Sequence, residues 1–369
     1  MAIVADNFKT NDESEEDKEL AAIVRKHATK VKVIGCGGAG NNSVTRMKEL
    51  GISGCEIIAV NTDAQDLLYT NSDVKILIGR ELTHGLGAGS NPKIGEKAAL
   101  ESELDIKRKL EEVEMVFITC GLGGGTGTGA APVIAEIAKK TGALTIGVVT
   151  LPFSVEGQKR IENAQYGLER LMKVTDTLIV IPNDKLLEIA PELPMHSAFK
   201  AADEILANSI KGIIEMITKA GLVNLDFADL KAVMSNGGLS LIGIGESNSD
   251  DRARDAVEKA INNPLMDIDI TNAKGALINV MGGNDMSLEQ YKTVIETVGM
   301  KVAKDAKIIS GAQIINGLEK TIKVLVIATG VERKELGGIR LTREEEAKEM
   351  TETEENDEII DFMKEDIEE

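Results

Sequence analysis

Hydrophobic and polar positions alternate between two patterns over residues 31–182. Short runs rich in valine and isoleucine are typical of buried strands, and they occur at residues 31–35, 56–61, 74–78, 115–119, 144–150 and 177–181. Between them, apolar residues spaced three and four apart predict helices that include residues 41–50, 92–112 and 132–140. This alternation predicts an α/β fold, a Rossmann-like parallel sheet with helices on both faces and ligands beyond the carboxyl ends of the strands.

A longer helix is predicted at residues 197–220, where apolar side chains recur with helical spacing. At 1.5 Å per residue it would be about 35 Å long, enough to join two domains. Beyond it, strands at 276–281, 307–314 and 321–329 around a helix at 287–298 predict a smaller α+β domain. The predicted organisation is an extension at 1–30, a ligand-binding domain at 31–220 that includes the central helix, the α+β domain at 221–332 and a tail at 333–369.

The 369 residues carry a formal net charge of −19, and most of it lies near the two ends. Residues 343–369 hold 14 acidic and 3 basic side chains, and residues 6–19 hold 7 and 2, which leaves about −3 for the rest of the chain. Both acidic segments lack hydrophobic periodicity, so we expect them to be mostly disordered. A chain without a basic patch and with 2% aromatic residues is not expected to bind nucleic acid.

The cysteines and the apolar runs indicate the cellular compartment. Cys36, Cys55 and Cys120 have neither metal-binding nor disulfide spacing, so we expect buried thiols in a reducing compartment. The N-terminus is acidic rather than basic, and the apolar runs are shorter than the roughly 18 residues that a membrane span requires. The sequence therefore predicts a cytoplasmic protein that does not insert directly into a membrane.

The segment CGLGGGTGTGAAP at residues 120–132 places six glycines between Gly121 and Gly129, directly after a predicted strand. A segment with so few side chains buries almost no apolar surface, and ordering its backbone costs much conformational entropy. This indicates that a ligand holds this backbone. GCGGAG at 35–40 and HGLGAGSNP at 84–92 also connect a strand to a helix, so three glycine loops should meet at one edge of the sheet. Their backbone N–H groups would form an anion cradle, to which Thr126 and Thr128 can add hydroxyl donors, and the expected ligand is a polyphosphate.

Each loop also has a simpler interpretation as turn chemistry. GCGGAG fits the dinucleotide pattern G-x-G-x-x-G through Gly35, Gly37 and Gly40, which would suit a nicotinamide-dependent oxidoreductase. The acidic residue expected about 20 positions later is misplaced, because Glu56 begins the second strand and Asp63 lies 28 residues beyond Gly35. The pattern G-x-x-x-x-G-K-[ST] does not occur, so the phosphates would be held mainly by backbone, without a P-loop lysine.

GGGTGTG at 123–129 is the pattern on which the chain resembles the tubulin/FtsZ superfamily, and within it the FtsZ family. The resemblance extends from about residue 31 to 330 and is somewhat closer to archaeal sequences. It includes GCGGAGNN (35–42), NTDAQ (61–65), GLGAGSNPKIGE (85–96), LPFSVEGQKR (151–160), IPNDKL (181–186), AFKAADEIL (198–206) and NLDFADLKAVM (224–234). It implies a GTPase that binds GTP and GDP with Mg²⁺ and polymerises head to tail into filaments of the cell-division ring at midcell.

The same resemblance assigns binding residues by position. Glu156 and Arg160 would contact ribose and phosphate, and Asn183 and Phe199 would lie around sugar and base. Asp203 would read the base, because a carboxylate accepts two hydrogen bonds from guanine N1–H and the 2-amino group, which adenine does not offer. The phosphates would be held by Gly37, Gly38, Ala39, Gly40, Asn41, Ala88, Gly89, Gly123, Gly124, Gly125, Thr126, Gly127, Thr128 and Gly129.

Asn224, Asp226 and Asp229 match the family's loop that reaches the nucleotide of the next subunit, which implies a catalytic role for them. Their spacing alone favours a helix start, with Asp226 as the N-cap and Asp229 as an acid in the first turn. Both interpretations can hold together. A filament protein that binds nucleotide without hydrolysing it is the other alternative, beside the oxidoreductase.

The C-terminal tail lacks the basic, proline-containing adaptor peptide of many bacterial relatives and ends in EIIDFMKEDIEE. Ile359, Ile360, Phe362 and Met363 are the clustered large apolar residues of this acidic segment, and they are predicted to bind a membrane-anchoring adaptor. The expected partners are therefore the chain itself and such an adaptor.

Overall fold

The computed structural model describes residues 30–189, 192, 194–218, 221–223, 225–265, 270–331, 335–336 and 339–340. Six strands form the parallel part of its sheet, in the order β3-β2-β1-β4-β5-β6. They are β1 (Val31–Cys36), β2 (Cys55–Asn61), β3 (Val74–Leu77), β4 (Met115–Gly121), β5 (Leu144–Leu151) and β6 (Thr177–Pro182). Each predicted strand of this half is confirmed to within two residues at either end.

Nine helices are described between Lys30 and Thr218. They are α1 (Gly37–Glu49), α2 (Ala64–Tyr69), α3 (Arg80–Thr83), α4 (Pro92–Glu101), α5 (Glu103–Lys109), α6 (Thr126–Lys140), α7 (Gln158–Val174), α8 (Asp184–Ile189) and α9 (Met195–Thr218). The prediction of one uninterrupted helix at 92–112 was wrong. Ser102 leaves helical geometry and separates α4 from α5. The Ser102 hydroxyl accepts a hydrogen bond from the Gly79 N–H at 3.2 Å, a tertiary contact that the local sequence does not reveal.

The start of α6 also differs from its prediction. The pattern placed Pro132 just inside the helix, whereas the helix begins at Thr126, within the glycine run. Glycines carry no apolar periodicity, so hydrophobic spacing cannot detect a helix there. Gly129 forms part of this first segment because a β-carbon at that position would collide with the Pro92 carbonyl oxygen on α4.

The second half of the chain extends the same sheet through β7 (Gly238–Ser247), β10 (Ile322–Thr329), β8 (Gly275–Gly282) and β9 (Lys307–Ile314). The β7–β10 and β10–β8 pairs are antiparallel, and the β8–β9 pair is parallel. The helices of this half are α10 (Phe227–Met234), α11 (Arg252–Ile261) and α12 (Leu288–Gly299). The α+β arrangement was predicted, but β7 and α11 were not.

Helix α9 lies in the core between the two halves. Ile210, Ile213 and Ile214 are fully buried in one hydrophobic cluster with residues of the parallel strands and of β10. Gly212 permits this close packing, because a β-carbon there would lie 2.9 Å from Leu325 on β10. Each fully buried side chain of this size contributes roughly 1.5–3 kcal/mol, so α9 is anchored strongly to both halves.

One compact unit extends to Glu332, so the two predicted domains share a continuous sheet and the boundary at 220/221 stays a prediction. In the unit Arg333–Glu369, β11 (Glu335–Leu336) and β12 (Ile339–Arg340) pair antiparallel. The predicted disorder of residues 1–30 and of the tail concerns segments that lie almost entirely outside the described residues. No helix in the described part of the chain is long and apolar enough to cross a membrane.

The three cysteines are free thiols, but they differ in exposure. Cys36 and Cys120 are buried as expected, whereas Cys55 is partly exposed, which corrects the prediction for that residue. Burial raises the pKa of the Cys120 thiol to about 12, so it stays protonated and unreactive at neutral pH.

Candidate nucleotide site

The turn from β1 into α1 is shaped by glycines that allow close backbone contacts. Gly37 has a left-handed φ of 70°, and a β-carbon there would lie 2.7 Å from the Gly127 nitrogen. A β-carbon on Gly40 would lie 2.5 Å from the Thr119 carbonyl oxygen of β4. These contacts bring the N-terminus of α1 against the N-terminus of α6, as the sequence predicted for the first and third loops.

The loop from β4 into α6 is held by similar contacts. Gly123 has a φ of 104°, and its N–H donates to the Thr128 hydroxyl oxygen at 2.9 Å. From the sequence, we expected the Thr128 hydroxyl to face the open edge as a donor to the ligand. Thr128 is fully buried instead, and its hydroxyl shapes the loop. The Thr126 hydroxyl lies 2.6 Å from the Thr62 hydroxyl at the end of β2.

The second glycine loop, residues 84–92, packs against the third loop at the carboxyl ends of the parallel strands. A β-carbon on Gly125 would lie 2.9 Å from the Ala88 side chain and 2.8 Å from the Asn91 nitrogen. Asn91 caps α4 through its side chain, and Pro92 occupies the first helical turn, as predicted. The three loops therefore meet at the carboxyl edge of the parallel sheet.

Two glycines in these loops are explained neither by packing nor by backbone conformation. Gly38 and Gly124 do not have a positive φ. A β-carbon on Gly124 would meet no atom within 4 Å, and one on Gly38 would meet only Asp66 Oδ2, at 3.7 Å. Bare backbone facing open space in this way suits the close approach of a ligand such as a phosphate group.

Glu156 and Arg160 lie at the border of the cradle, Glu156 on the turn before α7 and Arg160 in the first turn of α7. Their side chains pair at 2.7 Å, and the Arg160 side chain is half-exposed. Glu156 also accepts a hydrogen bond from the Phe153 N–H at 2.9 Å, which fixes the turn. Arg160 is the cation that the resemblance assigns to the phosphates, and Glu156 already balances part of its charge.

Asp203 on α9 lies beside α1, far along the chain from the glycine loops. Its Oδ1 accepts a hydrogen bond from the Ser43 hydroxyl at 3.0 Å. Burial raises the pKa of the Asp203 carboxyl to about 6, an effect that the Ser43 hydrogen bond partly offsets. A partly buried carboxylate with one neutral donor retains acceptor capacity for a ligand.

The other residues assigned to sugar and base lie on neighbouring elements. The Phe199 ring packs edge-to-face on Phe153, with ring centroids 5.2 Å apart. Asn183 follows β6 and is buried, yet its Oδ1 has no hydrogen-bond partner in the protein. A buried acceptor without a partner is unusual, and a ligand hydroxyl would satisfy it.

Sequence reasoning missed Asp66, the third residue of α2. Its Oδ2 accepts hydrogen bonds from Asn61 Nδ2 at 2.6 Å and from Asn41 Nδ2 at 3.4 Å, which ties α2 to the first glycine loop. Asp63, which the dinucleotide pattern singled out, caps α2 by accepting the N–H groups of Gln65 and Asp66. The one available signal was the acid directly after NTDAQ.

The described residues are compatible with Mg²⁺ at this edge. They contain no group of three or more His, Cys, Asp or Glu side chains that could hold a metal ion on its own. Mg²⁺ usually needs fewer protein ligands, because substrate phosphates and water fill most of its octahedral shell. The buried, unpartnered Asn41 Oδ1 and the Asp66 carboxylate are oxygen ligands of the kind that suits it.

Asp226 and Asp229 lie at the start of α10 and are both exposed. Asp226 is the N-cap, and its side chain accepts the Asp229 N–H at 2.7 Å, as the spacing predicted. Asn224 lies outside the described residues. The helix-start interpretation of this pair is therefore confirmed. Asp226 provides the cap, so the side chain of Asp229 is not needed to cap the helix.

The two carboxylates and the glycine loops lie at opposite edges of the sheet. Helix α10 ends where the Thr177 hydroxyl donates to the Met234 carbonyl oxygen, and Gly238 then pairs with Thr177, the first residue of β6. The first and third glycine loops follow the last residues of strands parallel to β6, and the second, which follows α3 rather than β3, packs against the third. Within one chain, the carboxylates therefore lie at the amino edge, away from the cradle.

Comparison with known proteins identifies the class. A family model described as the Tubulin/FtsZ family, GTPase domain, matches residues 30–191, and one described as the FtsZ family, C-terminal domain, matches residues 238–332. Cell division protein FtsZ 1 of Methanocaldococcus jannaschii is 57% identical over 329 residues, which are 89% of this chain and 90% of that protein. Cell division protein FtsZ 1 of Pyrococcus abyssi is 61% identical over 315 residues, 85% of this chain and 84% of that protein.

Solved structures agree with this assignment. An empty FtsZ dimer from M. jannaschii superposes with a TM-score of 0.83 at 56% identity, covering 89% of this chain and 100% of that chain. CetZ2 from Haloferax volcanii, described as a GTPγS-bound protofilament, shares the fold alone, with a TM-score of 0.72 at 22% identity over 83% of this chain and 94% of that chain. The protein is thus a tubulin-like GTPase that binds guanine nucleotide. Within that class the chain belongs to the FtsZ family of cell division proteins, and its similarity to archaeal members is confirmed.

Proposed function

We propose that this GTPase polymerises head to tail and that each active site is completed between two adjacent subunits. One subunit would supply the glycine cradle and the base-reading Asp203. The next would supply the loop with Asn224, Asp226 and Asp229. The filament would form the cell-division ring at midcell, on the cytoplasmic side.

The observation that carries this proposal is the separation of the two half-sites. Asp226 and Asp229 are at the amino edge of the parallel strands, and the cradle is at the carboxyl edge. Because these carboxylates would lie far from the nucleotide of their own chain, they would reach a nucleotide only if subunits stack along the strand direction. A contact between two different patches propagates without closing, which is the requirement for a filament.

Exposed apolar residues near both edges support the same arrangement. Near the cradle, Tyr69 is 79% exposed and Leu86 is 83% exposed. Next to the carboxylates, Leu222 is 68% exposed and Val223 is 40% exposed. Large apolar side chains grouped on opposite ends suit burial in a subunit contact. The relatives described as a dimer and as a protofilament are consistent with self-association in this fold.

The residues would divide the chemistry as follows. Backbone N–H groups at Gly38, Gly124 and the N-termini of α1 and α6 would bind phosphate oxygens and stabilise charge that develops on them. Asn41 and Asp66 would hold Mg²⁺ together with the phosphates, and this ion would supply additional charge neutralisation. Asp229 of the next subunit would position or activate the attacking water, and the Asp226 cap would fix the loop that carries it.

The tail would connect the filament to the membrane through a partner. Residues 343–369 lie outside the described part of the chain, so the apolar cluster from Ile359 to Met363 stays a sequence-based prediction. An acidic tether with one apolar segment is suited to fold on binding to an adaptor.

Hydrolysis measured against protein concentration tests the proposal. We expect the GTPase rate per molecule to be near zero at low concentration and to rise together with sedimentable polymer. A rate per molecule that is constant over the whole concentration range, with polymer present only at the upper end, would contradict a site shared between subunits.

A further inference from the structure

Asn163 lies on α7 and joins two of the glycine loops. Its side chain is buried, and its Nδ2 donates to the Ser90 carbonyl oxygen at 3.1 Å and to the Gly123 carbonyl oxygen at 3.2 Å. A side-chain amide carries two N–H donors, so one hydrogen bond to each loop uses both of them. Asn163 is therefore a point at which α7 holds the second and third loops together.

Both acceptors belong to residues with a left-handed backbone. Ser90 has a φ of 59°, which is uncommon for a residue other than glycine, and Gly123 has a φ of 104°. A β-carbon on Gly123 would lie 3.0 Å from the Arg160 carbonyl oxygen, one turn before Asn163 on the same helix. Such conformations persist where surrounding contacts hold them, and here α7 supplies those contacts.

The hydrogen bond to Gly123 also sets the direction of the next N–H group. The peptide that joins Gly123 to Gly124 is trans, so its carbonyl and its N–H point in opposite directions. Because Asn163 holds the carbonyl toward α7, the Gly124 N–H points away from α7. In the described part of the chain this N–H has no acceptor, and a β-carbon on Gly124 would meet no atom within 4 Å.

This peptide has little resistance of its own to a reversal of its plane. Glycine flanks it on both sides, and glycine adopts positive and negative φ with similar ease. A reversed peptide would present the partial negative charge of a carbonyl oxygen where a phosphate needs an N–H donor. Reversal would also leave an Asn163 donor without its acceptor in a buried position, which is costly.

We propose that Asn163 is a positioning residue, which fixes the Gly123–Gly124 peptide so that the Gly124 N–H faces the phosphates. The inference rests on the proposed nucleotide site and adds a residue that acts on the ligand through the backbone, without touching it. The alternative is that Asn163 only stabilises the fold by tying α7 to the loops. That alternative predicts an unaltered Gly124 N–H once the nucleotide is bound.

The test replaces Asn163 by Leu, which keeps the approximate size and removes both donors. The probe is GDP, titrated into the full-length protein below the assembly concentration. We expect the affinity for GDP to fall by about tenfold, the scale of one hydrogen bond to a charged group.

Amide spectra of protein with ¹⁵N- and carbonyl-¹³C-labelled glycine select glycine–glycine peptides, among them the N–H groups of Gly38 and Gly124. At saturating GDP both resonances should shift in the unmodified chain. In Asn163→Leu the Gly124 response should be lost, whereas the Gly38 response, from the first loop, should be retained.

Gln165→Leu is the matched control, because it removes an amide on the same helix that donates to Glu169 within that helix. It should keep the GDP affinity and both shifts. Asn163→Ser is smaller and keeps one donor, so its GDP affinity should lie between those of Asn163→Leu and the unmodified chain.

Three results would overturn this inference alone. They are an unaltered Gly124 response in Asn163→Leu, loss of the Gly38 response as well, which would assign Asn163 to the folding of the whole cradle, and an unchanged GDP affinity in Asn163→Ser. The last result decides the question even where Asn163→Leu does not fold. Failure of the unmodified chain to bind GDP would instead overturn the proposed nucleotide site.

Discussion

Asp203 on the central helix accepts a hydrogen bond from Ser43 on α1 at 3.0 Å, although the two residues are 160 positions apart in the chain. The contact joins the helix that connects the two halves to the helix that starts at the first glycine loop. Burial at this contact raises the pKa of Asp203 to about 6. This carboxylate, which we propose reads the base, is therefore expected to change charge just below neutral pH.

Guanine binding should weaken in acid because of this pKa. Only the ionised carboxylate accepts both guanine donors, and it becomes protonated as the pH falls through about 6. We expect affinity for GDP to be constant between pH 7 and 8 and to fall by up to about tenfold per pH unit well below 6. Titrations by calorimetry from pH 5 to 8 check this. Asp203→Asn is the control, because it should remove this dependence while keeping any that comes from the phosphates.

Replacing Asp203 by Asn should also weaken binding at neutral pH. One acceptor oxygen becomes an N–H donor that opposes a guanine donor, and we expect a loss of about 2–4 kcal/mol in GTP binding. The unliganded protein should melt no lower, since the buried charge is gone and Ser43 can still donate to the amide oxygen. Glu204→Gln, on the adjacent position of α9, should keep its GTP affinity. An unchanged affinity in Asp203→Asn would remove this residue from the site.

Two glycines of one loop should respond to alanine in different ways. Gly124→Ala meets no atom within 4 Å and has no positive φ to lose, so its unfolding temperature should not change. Its methyl group would occupy the space for the ligand, and GTP affinity should fall by about 10- to 100-fold if a backbone–phosphate hydrogen bond is lost. Gly129→Ala would collide with the Pro92 carbonyl, so it should destabilise the fold by about 1–3 kcal/mol or more. Thermal melts with and without GDP separate the two effects. Normal GDP affinity in Gly124→Ala would place the phosphates elsewhere.

Two defects placed in different subunits should complement each other. Asp229→Ala keeps its cradle but presents an impaired loop, so it should bind GTP and lose roughly 100-fold or more in turnover. Arg160→Ala should bind nucleotide poorly while its Asp226 and Asp229 stay intact. In mixtures, some junctions combine a sound cradle with a sound loop, and phosphate release should exceed the sum of the separate rates, increasingly so at higher protein concentration.

The complementation experiment has a definite contrary outcome. Both variants must be folded and must enter common filaments, which sedimentation of a labelled mixture checks. If phosphate release then equals only the sum, the carboxylates do not act across the junction. Asp226 and Asp229 would in that case serve the start of α10 alone, the role that the Asp226 cap already shows.

Removal of residues 343–369 should separate assembly from localisation. The tail is outside the compact unit that ends at Glu332, so we expect GTP hydrolysis and polymerisation of the truncated protein to be unchanged. Midcell localisation should be lost, because the apolar cluster for the adaptor is gone. Fluorescence imaging and sedimentation measure the two effects, and loss of polymer in the purified truncation would count against the tether.

Most of the parallel strands could be predicted from the sequence because they are buried on both faces and appear as continuous apolar runs, as in β4 and β5. The three glycine loops and the Asp226 cap could also be found, since turn and cap preferences depend on neighbouring residues. Strand β7 could not be predicted from the sequence. Its sequence GLSLIGIGES is rich in small residues, and it becomes a strand because β10 pairs with it along eight positions.

Local sequence thus determined most of the strands and the glycine loops whose backbone lacks side chains that would block a polyphosphate. It also determined that two acidic residues lie at the start of α10. Tertiary structure alone decided which groups from separate elements meet: Ser43 with Asp203, Asp66 with Asn41, and Thr62 with Thr126. It also decided that the cradle and the carboxylates lie at opposite edges of one sheet. The physical reason is that strand and turn preferences act over a few residues, whereas burial of α9 between both halves fixes the relative positions of groups more than a hundred residues apart.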